Sequence, residues 1–347
     1  MRDEIGSHLY RCERCLNLDP VFAEAVVQRV VDYAVQSRRK SHKTLLLYGA
    51  QGSGKTVVLS RACCRLKDEL RDECVLVVRY VGLTPDSATS HGLLAGICSQ
   101  MDRVLGRNFV SPVDHPDLVI YYRELLVKLE RDTRLWIVAV DDLDLLLSWS
   151  EQVSQSDDLS WISAELPVNV VFVGTLTAVS KRERQATLGK GIPSENYIRV
   201  PNLDDRQLER FVNPEYEKAK KVSLSSRQIN LLNVMRTSSS PMFCVLLLEN
   251  TKQRSPDATL CADVLGGDPG SAVVSRLEML EERYGVQTVS GVLRYLCATP
   301  TGITELELLD VLSCDNDVVT RLIDVTNADQ IRFPYVVWLR MKSELGK

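Results

Sequence analysis

Histidine is scarce in this chain: His8, His42, His91 and His115 are the 4 among 347 residues. None stands in an HExxH spacing or beside a Ser or Cys motif, so zinc-peptidase and triad-hydrolase chemistry are not expected. Long apolar runs are missing too. LLLYG, WIVAV and VVFVG fall far short of the roughly 20 residues that span a bilayer, and Met1 to Leu18 is too charged for a secretory signal. The expectation is a cytoplasmic protein with no membrane span. Nor is there an excess of positive charge: Lys+Arg 42 against Asp+Glu 46 gives a net charge of −4, which supplies no field for coating DNA or an anionic membrane. Repeats of period about 20 to 50 residues are absent, as are low-complexity tracts. Cys12-Glu-Arg-Cys15 has the spacing of half a zinc site, but no second CxxC or HxxxH pair completes four ligands. Of the remaining cysteines, Cys74, Cys244 and Cys297 sit in apolar segments, where buried thiols are expected rather than a disulfide framework.

What is present is a globular composition, 45% hydrophobic and 25% charged, in a chain long enough for two or three compact units. VFAEAVVQRVVDYAVQSRRK has apolar residues at helical spacing and a basic end. TLLLY, from Thr44 to Tyr48, is apolar without alternation, the mark of a strand buried on both faces. The same character returns in CVLVVRYV, LWIVAV and VVFV and more weakly over Tyr197 to Val200, with helix-length sequence between them. Strands alternating with helices predict a parallel sheet. After Pro201 the patterns are helical, with a linker-like Leu265-Gly-Gly-Asp-Pro-Gly270. The expected organisation is an N-terminal helical segment (1–40), an α/β domain (41–200), a small helical domain (201–264), and a winged-helix-like domain with the start of a downstream linker (271–347).

Gly49-Ala-Gln51-Gly52-Ser53-Gly54-Lys55-Thr56 fits G-x-x-x-x-G-K-[ST] in full, between an expected strand and an expected helix. Glycines let backbone N–H groups turn inward around phosphate oxygens, and the following helix offers its positive end. Lys55 places a charge at the β- and γ-phosphates, and Thr56 offers a hydroxyl to Mg²⁺. The bound molecule implied is ATP or ADP with Mg²⁺. Asp141, first acid after the LWIVAV run, belongs at the strand's carboxyl edge as a metal-side carboxylate. Asp142 or Asp144 is the candidate to orient an attacking water. Asp is shorter than the Glu usual in that role, so the residues leave hydrolysis open. If the strand ending at Gly174-Thr175 inserts beside the phosphate-loop strand, as in the additional-strand class of P-loop proteins, Thr175 is a candidate sensor of the γ-phosphate. An ordinary strand-terminal threonine is the competing reading.

Several segments together resemble the NACHT family of signal-transduction (STAND) NTPases, in particular the branch with NACHT and WD-repeat, nephrocystin-3-like and telomerase-associated proteins. VRYVGLTPDSATSHGLLAGICSQM is similar to that branch's second strand and following helix, with its R-[FY]-[IV]-G-x-[ST]-P-x-S and L-L-x-x-[IL]-C-x-Q patterns. VAVDDLDLL resembles its metal-binding strand, which carries the acidic roles onto Asp141 and Asp144, and ELPVNVVFVGTLTA carries the sensor role onto Thr175. SSSPMFCVLLLEN is similar to the turn that would set Pro241 near the base or ribose. GVLRYLCATPTGITELELLDVLSCDNDVV resembles the winged-helix segment. The resemblance implies a P-loop NTPase parallel sheet, a helical domain and a winged-helix-like domain. It also implies a nucleotide-gated switch controlling assembly with itself or with protein partners. The WD or TPR repeats that generally follow in that family are not in this sequence, so a fragment or short form is expected. The winged-helix segment has no histidine to contact a bound ADP, and Arg182 or Arg184 is a candidate charge sensor.

An AAA+ ATPase of the origin-recognition type, binding DNA through its winged helix, is the alternative with the same modules. The acidic balance, and Glu305, Glu307 and Asp310 on ITELELLDVLS, argue against a DNA-reading helix, so nucleic acid is not an expected partner.

Overall fold

The structure, a computed structural model, describes residues 2–15, 23–37, 43–146, 159, 161–162, 166–177, 191–213, 225–252, 266–299, 302–323 and 332–345. The chain divides into two compact units, Met1–Asn202 and Leu203–Lys347.

The first unit begins with helices α1 (Arg2–Arg14) and α2 (Glu24–Gln36). It continues β1 (Thr44–Gly49), α3 (Lys55–Leu70), β2 (Cys74–Tyr80), α4 (Ser90–Val104), α5 (His115–Leu129), β3 (Leu135–Asp141), β4 (Val170–Thr177) and β5 (Tyr197–Arg199). All strand pairs are parallel, in the order β2-β3-β4-β1-β5. The last long strand therefore inserts between the phosphate-loop strand and the acidic strand, as the additional-strand expectation required. The apolar runs do not alternate because both sheet faces are covered: every residue of β3 is buried. One face carries Val77, Trp136, Val138 and Phe172 against Leu93 and Ile97 of α4 and Leu118 and Tyr122 of α5. On the other, α3 packs across β1 to β4, with α1 and α2 packed on α3. The basic run after α2, Arg38 to Lys40, lies outside the described residues.

Trp136 is fully enclosed at the centre of this sheet, so Trp136→Ala is expected to destabilise the first unit by about 3–5 kcal/mol. Urea unfolding checks this, and a loss below about 1 kcal/mol would show that the sheet centre collapses around the gap.

Part of the RYVGLTPDS segment is a packing device. Arg79, 1% exposed, donates from Nη1 to Gln100 Oε1 at 2.7 Å and from Nη2 to Gly96 O at 2.7 Å. Gln100 in turn donates to Leu76 O at 3.1 Å. The arginine and the glutamine of the two adjoining motifs thus clamp α4 onto β2. Burial pulls the Arg79 guanidinium down to about 10, a cost offset by the hydrogen bonds that its Nη1 and Nη2 donate.

The regular elements among the described residues of the second unit are all helices: α6 (Asp205–Val212), α7 (Ser226–Met235), α8 (Pro241–Lys252), α9 (Pro269–Tyr284), α10 (Val286–Ala298), α11 (Glu305–Cys314), α12 (Asn316–Ile323) and α13 (Tyr335–Leu345). Capping boxes start three of these: Asp204 with Gln207, Ser225 with Gln228, and Thr304 with Glu307. A core of Leu280, Val289, Val292, Leu308, Leu312, Val318, Trp338 and Met341 joins α9 to α13. Of the cysteines expected inside, Cys244 is buried and Cys74 half-buried, but Cys297 is exposed, because α10 turns Val289 and Val292 to the core and its last turn outward. Among the described residues no helix is long and apolar enough to cross a membrane.

Candidate functional site

Between β1 and α3 the chain makes a tight loop that only its own residues permit. Gly52 and Gly54 have φ of 76° and 88°, where a side chain is strained. Gly49 is required by space: a Cβ there would lie 2.9 Å from Val200 O. Gly54 caps α3 with no side-chain partner, so the first N–H groups of the helix face the loop. Lys55 is 5% exposed and folds back over the loop, donating to Gly49 O at 3.3 Å and Ala50 O at 3.1 Å. Burial lowers its pKa; the charges of Asp142, Asp144 and Asp141 act the other way. The neighbouring Ser53 hydroxyl is buried without a partner.

The acids arrive from β3 across β4. Asp141, 2% exposed, accepts from the Thr175 hydroxyl at 2.6 Å, and the nearby Thr56 hydroxyl favours its charged form. Thr175 also accepts from Asp142 N at 2.8 Å, and Thr177 N donates to Asp144 Oδ1 at 2.8 Å. Asp142 takes a left-handed φ of 55°, an uncommon conformation for a residue with a Cβ. Burial, then the charge of Asp142, pushes the Asp141 carboxyl up to about 6 against the threonine hydrogen bonds and the Lys55 charge. The Asp142 carboxyl is also raised, by burial and then by Asp144. This is a pocket of crowded negative charge facing a buried ammonium and an orphaned hydroxyl.

The structure thus brings Lys55, Thr56, Asp141, Asp142, Asp144 and Thr175 together beside the Gly49–Gly54 loop. Thr175 meets Asp141 directly, with both functions of its hydroxyl engaged within the protein. Pro241 opens α8 in the second unit, where a proline at the first helical position costs no hydrogen bond. Arg182 and Arg184 lie outside the described residues. Helix α1 falls in the expected N-terminal helical segment, but its packing beside the acids is not marked in the sequence. His8 Nδ1 accepts from Tyr80 N at 3.1 Å, with the two rings stacked at 6.1 Å. Tyr80 is the ladder partner of Asp141. One turn beyond His8, Arg11 brings its charge close enough to oppose the rise of the Asp142 pKa.

These donors suit a phosphate chain with Mg²⁺: hydroxyl and carboxylate oxygens are hard ligands, and an orphaned Ser53 hydroxyl is an open polar contact. Among the described residues no three His, Cys, Asp or Glu side chains form a metal cage by themselves. At a phosphate site an Mg²⁺ ion is held by one or two protein oxygens and completed by phosphate and water. Thr56 and Asp141 would hold it, and it would supply the charge that relieves the crowded carboxylates.

Strand order, phosphate loop and acid placement define a P-loop NTPase fold of the additional-strand class, and residues 270–347 match the model of an NWD1-like, winged helix-turn-helix domain. The chain is a homologue of the NACHT and WD-repeat proteins, which carries through the family resemblance read in its sequence. It is 26% identical over 356 residues to NACHT and WD repeat domain-containing protein 2 of Homo sapiens, covering 99% of this chain and 20% of that protein. It is 26% identical over 324 residues to the human NACHT domain- and WD repeat-containing protein 1, covering 88% of this chain and 20% of that one. The chain spans about a fifth of the length of the curated relatives it matches. Among solved structures, Drosophila ORC bound to DNA covers 98% of this chain, with 83% of its own covered, at 12% identity and a TM-score of 0.48. Cdc6p from Pyrobaculum aerophilum covers 94%, with 86% of its own covered, at 15% identity and 0.41.

Proposed function

We propose that this chain binds Mg-ATP and Mg-ADP at the Gly49–Thr56 loop and acts as a nucleotide-gated switch that controls its assembly with copies of itself or with protein partners. The observation that carries this reading is the hydrogen bond of the Thr175 hydroxyl to the buried Asp141 carboxylate, with the Thr56 hydroxyl close enough to act against the rise of its pKa. It links the phosphate loop, the acidic strand and the strand between them through one group. In the proposal, Gly49, Gln51, Gly52, Ser53 and Gly54 line the phosphates, Lys55 neutralises them, and Thr56 with Asp141 holds the metal. Thr175 reads the γ-phosphate through its bond to Asp141. Asp142 is better placed than Asp144 to orient a water, since Asp144 spends an oxygen on Thr177 N–H. Pro241 is the proposed contact of the base or ribose. The homology to NACHT and WD-repeat proteins supports the switch over metabolic turnover.

Against the origin-recognition alternative stands α11: Glu305 accepts from Trp338 and Lys342 and Glu307 closes a cap, which leaves an acidic helix where DNA would need a basic one. Limited proteolysis of the purified chain with Mg-ADP, with a non-hydrolysable Mg-ATP analogue and with neither tests the proposal. Two distinct protection patterns are expected, because only differential contacts with the two nucleotides shift a conformational equilibrium. One pattern in all three conditions would reject the switch, and DNA binding at low salt would favour the alternative.

A further inference from the structure

Cysteines cluster where α1 packs on α3. The sulfurs of Cys12 and Cys64 lie 3.7 Å apart. Cys12 is 2% exposed, whereas Cys64 is half-buried, so one side of the pair is open to small solutes. Cys12 Sγ also donates to the Ser60 carbonyl oxygen at 3.5 Å. The Cys12 thiol is drawn down to about 7, first by Cys64 and, after the opposing effect of burial, by Tyr80 and Ser60 beside it. The two hydroxyls beside it are tied to each other, Ser60 Oγ and Tyr80 OH being hydrogen-bonded at 2.7 Å, and Ser60 Oγ donates to Thr56 O at 2.6 Å. The Cys64 thiol is held up, chiefly by its hydrogen bond to Cys12, and fully enclosed Cys63 is pushed up by burial. The three thiols are therefore unequal: one nucleophile, one partner beside it, one inert neighbour.

We propose that Cys12 and Cys64 form a reversible disulfide, made by hydrogen peroxide and undone by a dithiol, which fastens α1 to α3. The gap has to close by about 1.7 Å to reach the S–S bond length of about 2.05 Å, a movement within reach of two side-chain rotations. The Cys12 thiolate attacks one peroxide oxygen. An S–O bond forms, the O–O bond breaks, and the departing hydroxide takes up a proton to become water. The Cys64 sulfur, giving up its proton, then attacks the Cys12 sulfur and expels the hydroxyl as a second water. Two thiols lose two electrons in all, and one peroxide becomes two waters.

The bond acts on more than α1. Cys12 lies beside Arg11, whose charge reaches Asp142, and α3 begins at Lys55. The link therefore joins the helix bordering the acids to the helix that carries the phosphate-loop lysine. It stands or falls independently of nucleotide binding.

The whole chain is treated with peroxide, blocked with iodoacetamide, digested and mapped by mass spectrometry. The expected product is a peptide pair joining Cys12 to Cys64, lost on dithiothreitol treatment, formed at peroxide levels that leave exposed Cys297 largely unmodified. Cys63→Ser retains the link. Cys64→Ser abolishes it and leaves a Cys12 sulfenic acid trapped by dimedone, and Cys64→Ala serves where the serine variant fails to fold. Trypsin cleavage after Arg11 and Arg14 is expected to slow about tenfold in the oxidised chain, since cleavage follows local opening of the helix. A Cys12 link to Cys15 or Cys63, or oxidation of Cys297 before any link appears, would overturn the assignment.

Discussion

Lys55→Ala is expected to weaken Mg-ATP binding by roughly 100-fold or more, because it removes the buried cation facing the phosphates and leaves their charge unpaired. The fold should survive. Among the described residues Lys55 makes two hydrogen bonds, both to carbonyls of its own loop, and its ammonium is disfavoured by burial. Isothermal titration with Mg-ATP, with thermal unfolding of both proteins alongside, separates lost binding from lost structure. Unchanged affinity in a folded variant would remove the phosphate role from this loop.

Asp141→Asn is expected to have two opposite effects. In the folded chain the carboxyl titrates at about 6, against an ordinary value of 3.8, so the folded state holds the proton more tightly than the unfolded one. Stability tied to that proton is complete below pH 3.8 and is lost as the pH rises through about 6. An asparagine carries no charge at any of these pH values. The variant should therefore be more stable than the parent at pH 7.5, by about 3 kcal/mol without nucleotide or metal, and the difference should fall to a fraction of that near pH 4. The same change should abolish the gain in nucleotide affinity brought by Mg²⁺ while affinity in EDTA changes little. Unfolding scans across that pH range and titrations with and without Mg²⁺ read the two effects. A variant less stable at pH 7.5 would show that the hydrogen bond from Thr175 outweighs the buried charge.

The phosphate loop, the acidic strand and the inserted strand were legible because each is written locally. Gly49 to Thr56 is one contiguous pattern, Asp141 ends an unbroken apolar run, and VVFVGT needed only its place in the order of strands. Features made by distant pairs were not legible in the same way. His8 binds Tyr80 across 72 residues, and nothing in the charged segment around it marks a buried helix. Arg79 and Gln100 stand in motifs that the family resemblance quotes, but only the fold shows that they bind each other. The Arg11 charge near Asp142 likewise follows from how α1 lies on β2, which no spacing encodes.

With β4 seated between β1 and β3, the lysine-bearing edge and the acid-bearing edge stand two strand spacings apart, about 10 Å. Backbone ladders on both sides of β4 fix that span, so it behaves as a gauge block under whatever fills the slot above. A ligand cannot widen or narrow it without tearing main-chain hydrogen bonds. Any stroke driven by the cargo must be delivered by the connections that leave the strands' carboxyl ends, with the sheet as their fixed anvil.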